Sequence, residues 1–283
     1  MMKATFAVVL LCSLTTPSSA HAQAAESFGG RLTSDFHFIV NNGEADAEDV
    51  ITSPLHIADL WASDGLLRKP AFYYTLIGAG AMLGGAFAAD QTVRARLRDM
   101  PSGTASALED SADVATGVGG ALLYGYGVYK GDQRAREYAL TSAEGAGVGT
   151  LVTLVLKYSF GRLRPLQDGH SHTKFFDGGQ SFASGEATPI FAMAAGVSQY
   201  FDNAWYAAVP AYSTAMAMGF GLMGHDAHWL SDIAGAAIVG VGTTELLLYL
   251  HRQHAENPSR FRVFPISPLE SPHQTGIGIS FNF

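Results

Sequence analysis

Between residues 70 and 252 the chain is a succession of six apolar stretches, at about 70–89, 113–130, 138–161, 187–201, 204–224 and 228–252. They are rich in Ala, Gly, Leu and Val, and the breaks between them carry Pro, Gly or charge. Such a pattern predicts helices packed on helices, because small residues let backbones approach closely in a soluble core or in lipid. Of the 283 residues, 48% are hydrophobic and 15% are charged, where an ordinary globular chain has about 25% charged. Disorder is thereby excluded. A formal charge of −8, from 17 basic and 25 acidic residues, argues against a nucleic-acid partner.

The two ends differ from this middle. Residues 1–22, MMKATFAVVLLCSLTTPSSAHA, have the basic start, apolar stretch and small-x-small ending of a secretory signal peptide. The only cysteine, Cys12, lies within it, so a mature chain would have neither disulfide nor thiol nucleophile. Residues 23–68 are mixed and acidic and read as an N-terminal extension wrapping the core. A helical domain is expected over 69–255 and a tail over 256–283. In that tail Phe261–Phe264 and Gly276–Phe283 read as the two strands of a short β-hairpin. The fold class expected is therefore all-α, a six-helix bundle with a C-terminal β-hairpin.

Only two uncharged runs, 20 residues at 70–89 and 22 at 203–224, reach the roughly 20 residues a membrane span needs. If all six helices spanned behind a cleaved signal, the end of the third would face the cytoplasm. The chemistry below sits at that end, and export would then serve little purpose. The sequence thus favours a secreted, periplasmic bundle lying against an inner or outer membrane surface over six spans.

Three segments carry chemistry. In Lys157-Tyr158-Ser159-Phe160-Gly161-Arg162-Leu163-Arg164-Pro165, Pro165 biases Arg164 out of helical geometry. Lys157 and Arg164, seven apart, can then present two cations on one side of a helix end. A fork and a point charge suit an oxyanion, although basic residues at a helix end also favour its dipole. In Ala183-Ser184-Gly185-Glu186, a Ser-Gly pair opening a helix offers amides to a phosphate; equally, Ser184 reads as a plain N-cap. In His225-Asp226-Ala227-His228-Trp229-Leu230-Ser231-Asp232, His228 and Asp232 stand i,i+4. Asp232 can accept the Nδ1 proton and leave Nε2 as a nucleophile, or the pair is a local hydrogen bond.

In this order and spacing, Lys-x6-Arg-Pro, Ser-Gly and His-x3-Asp resemble the type-2 phosphatidic acid phosphatase/vanadium haloperoxidase superfamily. The likeness covers roughly residues 70–250 and is specific over 157–235, including Gly161-Arg162 and Asp232-x-x-Gly235. The resemblance implies an all-α bundle around a phosphate site that needs no metal or other cofactor. His228 would be the nucleophile, oriented by Asp232. Lys157, Arg164, Ser184 and Gly185 would bind phosphate, with Arg162 and His225 as auxiliaries. It implies a phosphorylated lipid or a small phosphate ester as substrate, a membrane surface as partner, and allows a homo-oligomer.

Two positions depart from the family pattern. Its second motif is Pro-Ser-Gly-His, and the His that serves as general acid is Glu186 here. Its third motif opens with Ser-Arg, and those positions are Gly221 and Leu222. Glu186 can replace the acid if burial or the bound phosphate keeps it protonated, and His225 can supply a cation at acid pH. The reading that follows is a secreted phosphatase acting on lipid phosphates or pyrophosphates through a phosphohistidine. The alternative is a degenerate member that binds phosphate-bearing lipid or a protein without turnover. A zinc protein built on His225, His228, Asp226, Asp232, His170 and His172 would leave the Lys/Arg pair without purpose, and vanadate chemistry would need the missing Arg and His.

Overall fold

The computed structural model describes residues 28–40, 42–43, 70–167, 173–256, 261–266 and 276–281. The signal-like segment 1–22, most of the extension, and His170 and His172 lie outside the described residues. Seven helices are described: α1 (28–40), α2 (Pro70–Leu97), α3 (Ser102–Lys130), α4 (Gln133–Phe160), α5 (Ala187–Tyr200), α6 (Trp205–Gly224) and α7 (Leu230–Glu256). After α7, β1 (Phe261–Ile266) and β2 (Gly276–Phe281) pair antiparallel, with Phe261 opposite Phe281.

The expected count of six is corrected by α1. Its apolar residues Phe28, Phe36, Ile39 and Val40 stay exposed, and what docks it is a polar anchor. Asp35 accepts from Arg136 Nε at 2.8 Å and from the Tyr124 hydroxyl at 2.9 Å, and the Arg31 guanidinium donates to the Val128 carbonyl. Burial, reinforced by Asp35, pushes the Tyr124 phenol up to about 12. Two helices also run longer than expected. α2 continues through its charged end to Leu97, and α3 begins at Ser102, so Glu109, Asp110 and Asp113 lie on a helix rather than before one.

Helix ends follow local chemistry. Gly131, at φ 73°, closes α3 in the left-handed conformation, and Asp132 then caps α4 by accepting from the Ala135 amide. α4 stops at Phe160 because Gly161 turns left-handed (φ 50°) and returns its N–H to the Lys157 carbonyl. The stop is thus Gly161, four residues before Pro165.

α5 is the central element, packed against α3, α4, α6 and α7. Nine of its fourteen residues are buried. The core joins Phe191 and Ile190 of α5 to Met218, Leu222 and Met223 of α6 and Ile233 of α7, with Ala112, Ala215 and Ala236 between them. Close approach depends on small residues: a Cβ added at Gly240 of α7 would come within 2.9 Å of the Ala192 nitrogen on α5.

The outside is apolar too. Leu76 and Ile77 on α2, Val118 and Leu122 on α3, Leu151 and Val155 on α4, and Trp205 and Val209 on α6 are all exposed. Among the described residues, α4 and the Leu230–Arg252 part of α7 are long and apolar enough to cross a membrane.

Candidate active site

The site is assembled at one end of the bundle from the end of α4, the loop entering α5 and the start of α7. His228 lies in the turn before α7, and Trp229 rather than His228 occupies the cap position. The Asp232 carboxylate reaches back to the Trp229 amide at 2.8 Å, the carboxylate half of a capping box. His228 and Asp232 are therefore i,i+4 without sharing a helix.

Asp232 is fully buried and held on every side. Oδ1 accepts from Arg162 at 2.6 Å. Oδ2 accepts from Ser181 Oγ at 2.5 Å as well as from Trp229 N, and faces His228 Nδ1 at 3.5 Å. That last separation is longer than a normal hydrogen bond. Burial alone would push the Asp232 carboxyl up, but the His228 contact, the Arg162 charge and the Ser181 hydroxyl outweigh it and hold it below the usual carboxylate range. His228 is itself buried, and Nε2 has no hydrogen-bond partner among the described residues.

Arg162 and Arg164 are placed differently. Arg162, read as an auxiliary phosphate ligand, turns inward instead and is 1% exposed. It bonds Asp232, Ser231 Oγ at 2.7 Å and Asp90 at 2.7 Å, and it is ringed by Phe87, Phe175 and Trp229. A guanidinium with these partners anchors the site from behind. Arg164 is partly exposed and has no ion-pair partner among the described residues. Because α4 has already ended, Arg164 reaches its place through the turn at Gly161, not through helical periodicity.

Lys157 is half-buried on the last turn of α4. A Cβ added at Gly185 would lie 3.6 Å from its Nζ, so the ammonium rests directly against the Ser-Gly turn. Burial, seconded by the Arg164 charge, pushes this lysine below its ordinary range, against the pull of Glu186 and Asp232.

The Ser-Gly turn corrects one expectation. The Ser184 amide donates to the Asp232 carbonyl at 3.2 Å, and its hydroxyl accepts from the Ala187 amide at 3.3 Å. Ser184 is fully buried, so it joins α5 to α7 rather than presenting its amide. The Gly185 and Glu186 amides have no backbone acceptor among the described residues, and they open α5, where the dipole favours an anion. Glu186 is exposed, so the burial expected for it is not met, although its charge acts on Lys157 and Glu109.

The remaining candidates turn elsewhere. His225 faces α3, with Nε2 3.2 Å from Ser106 Oγ and 3.6 Å from Glu109. Burial pushes the Glu109 carboxyl up, opposed by His225 and assisted by Glu186, Asp110 and Asp113. Asp226 is held by a two-pronged bond from Arg94, at 2.8 and 2.7 Å. Leu222, at the position of the family arginine, is buried in the core, and Gly221 makes room for Glu109: a Cβ there would fall 2.6 Å from Glu109 Cγ.

Sequence reasoning missed Asp90, Ser181 and Ser231. One signal was available for Asp90, which is the first charge after 20 uncharged helical residues. A carboxylate so placed needs a partner when buried.

Residues 138–256 match the family model of the PAP2 superfamily, a segment that runs from the second turn of α4 to the end of α7. No curated protein and no solved structure matches the chain. The match contains Lys157, Arg162, Arg164, Ser184, Gly185, His228 and Asp232 in their order, and it leaves out α1, α2 and α3. Over residues 138–256, somewhat less than half of its length, the chain is similar to the PAP2 superfamily, the superfamily of type-2 phosphatidic acid phosphatases.

Proposed function

We propose that the protein hydrolyses phosphate monoesters or pyrophosphates of lipids, with His228 as nucleophile and no metal in the step. The match of residues 138–256 to the PAP2 superfamily supports phosphatase-type chemistry on phosphate esters; the substrate, the intermediate and the residue roles are our reading. The observation that carries it is the buried His228, with Nε2 unpartnered among the described residues and Nδ1 turned to the fixed carboxylate of Asp232.

His228 Nε2 forms a bond to phosphorus as the ester P–O bond breaks in line. The imidazole keeps its Nδ1 proton and becomes a phosphorylated cation facing Asp232. Lys157, Arg164 and the Gly185 and Glu186 amides hold the phosphoryl oxygens as charge spreads over them. Ser184 is reassigned: it fixes the turn that presents those amides. Glu186, at the position of the family acid, protonates the leaving oxygen. Water then attacks phosphorus, the P–N bond breaks, and inorganic phosphate leaves.

Export behind residues 1–22, a periplasmic location and a membrane surface beneath the exposed apolar helices complete the proposal. A lipid substrate fits that setting, because its phosphate would present itself at the interface. The test is phosphate release from a soluble aryl phosphate, a phosphatidate and a polyprenyl pyrophosphate between pH 4 and 8. Release in the presence of a chelator, abolished in His228→Ala, is expected. Release that persists in His228→Ala would remove His228 from its role.

A further inference from the structure

Behind the His228–Asp232 pair lies a closed charge network that the family's motif residues do not account for. Its outermost member, Asp90, comes from α2, 48 residues before the family match begins. The Asp90 side chain is fully buried. Oδ1 accepts from the Ser231 amide at 2.8 Å, and Oδ2 accepts from Ser231 Oγ and from Arg162, each at 2.7 Å. Three donors, one a guanidinium, complement a carboxylate and oppose the burial that pushes the Asp90 carboxyl up. Arg162 in turn holds Asp232 at 2.6 Å, and Ser231 Oγ accepts from Arg162 while donating to Asp90.

The charges decide what this arrangement does. Arg162 and Asp232 alone would form a neutral pair, with the carboxylate committed to the guanidinium. In surroundings built from Phe87, Phe175 and Trp229, little solvent screens that attraction. Asp90 adds a second negative charge on the far side of Arg162, so the trio carries one net negative charge. The trio and the His228 ring together are neutral when that ring becomes cationic.

We propose that Asp90 is a positioning residue which balances the charge of Arg162 and so leaves the Asp232 carboxylate to orient His228 and to stabilise its phosphorylated ring. This rests on His228 being the nucleophile. Asp90 touches neither substrate nor His228; it acts through Arg162. The other charged groups around the pair are Lys157, Arg164 and Glu186 on the substrate side, and Arg94, which is already matched by Asp226.

The test reads the tautomer of His228 directly, in full-length protein labelled with 15N-histidine at fixed neutral pH, with His228→Ala to assign the signal. Wild type should show the proton on Nδ1. Asp90→Asn, which keeps the shape and removes the charge, should move the proton toward Nε2 and lower kcat for phosphate release by roughly tenfold or more, since a mis-set tautomer in a His–carboxylate pair is costly. KM should stay within about twofold. Adding Arg162→Gln to Asp90→Asn restores the net charge of the trio and should return the Nδ1 proton and part of the lost kcat, whereas a merely structural Asp90 would make the double variant worse than either single one. Asp90→Ser carries the same prediction should the asparagine variant not fold. An unchanged tautomer in a folded neutral variant, or a double variant slower than Asp90→Asn, would overturn the proposal. If wild type releases no phosphate, the nucleophile reading fails, while the tautomer still decides the role of Asp90.

Discussion

Arg162 and Arg164 stand two residues apart on either side of Leu163, and the fold sends one inward and the other to the mouth of the site. The seven-residue spacing to Lys157 singles out Arg164 as a ligand, but nothing in the sequence marks Arg162 as an anchor. What separates them is Gly161: its left-handed turn ends α4 and drops Arg162 between Asp90 and Asp232. Leu222 shows the converse. Its position suggests a lost arginine, but it lies in the core with Phe191 and Met218. Leu222→Arg should therefore lower stability by several kcal/mol, on the order of 3–5, by burying an unpaired charge, and should yield no gain in phosphate release; a urea melt would show it. Asp232 makes a pH prediction. Because its folded-state value is held below that of an unfolded aspartate, about 3.9, its charge adds stability that is complete above that value and is lost as pH falls through the lowered one. The difference in melting temperature between wild type and Asp232→Asn should be steady above about pH 5 and shrink below about pH 4. A difference independent of pH would contradict the ionised carboxylate.

Six of the helices were legible from their apolar, small-residue composition and the Gly, Pro and charged breaks between them. α1 was not, because it docks through one buried carboxylate rather than an apolar stripe, and an isolated Asp in an acidic segment carries no periodic signal. Asp35 and Arg136 form a pair whose side chains are 8% and 3% exposed. Removing one member strands the other, so Asp35→Ala should cost on the order of 3 kcal/mol and open 28–40 to protease before the rest of the bundle. Equal protection of α1 in wild type and variant would contradict the anchor. The site follows the same division. His228, Lys157 and the Ser-Gly turn lie in contiguous motifs and could be read in order, whereas Asp90 belongs to a helix that only the tertiary fold brings to Arg162.

At the scale of the whole molecule, two features meet: the proposed phosphate site at one end of a helical bundle and apolar side chains around its outside. Leu151 and Val155 of α4, each about two-thirds exposed, would contact lipid if the bundle beds into a membrane surface. The protein should co-sediment with phosphatidylcholine vesicles, and Leu151→Glu with Val155→Glu should reduce that binding while changing stability little, as exposed substitutions do, within about 0.5 kcal/mol each. Binding unaffected by both charges would place the contact elsewhere. The central claim is chemical, however, and one measurement addresses it: phosphate release by wild type and His228→Ala across pH 4 to 8, with chelator present and folding of both confirmed. The account predicts release by wild type and none above background from His228→Ala. Equal release from the two proteins, or none from a folded wild type on any of the three phosphates, would contradict it.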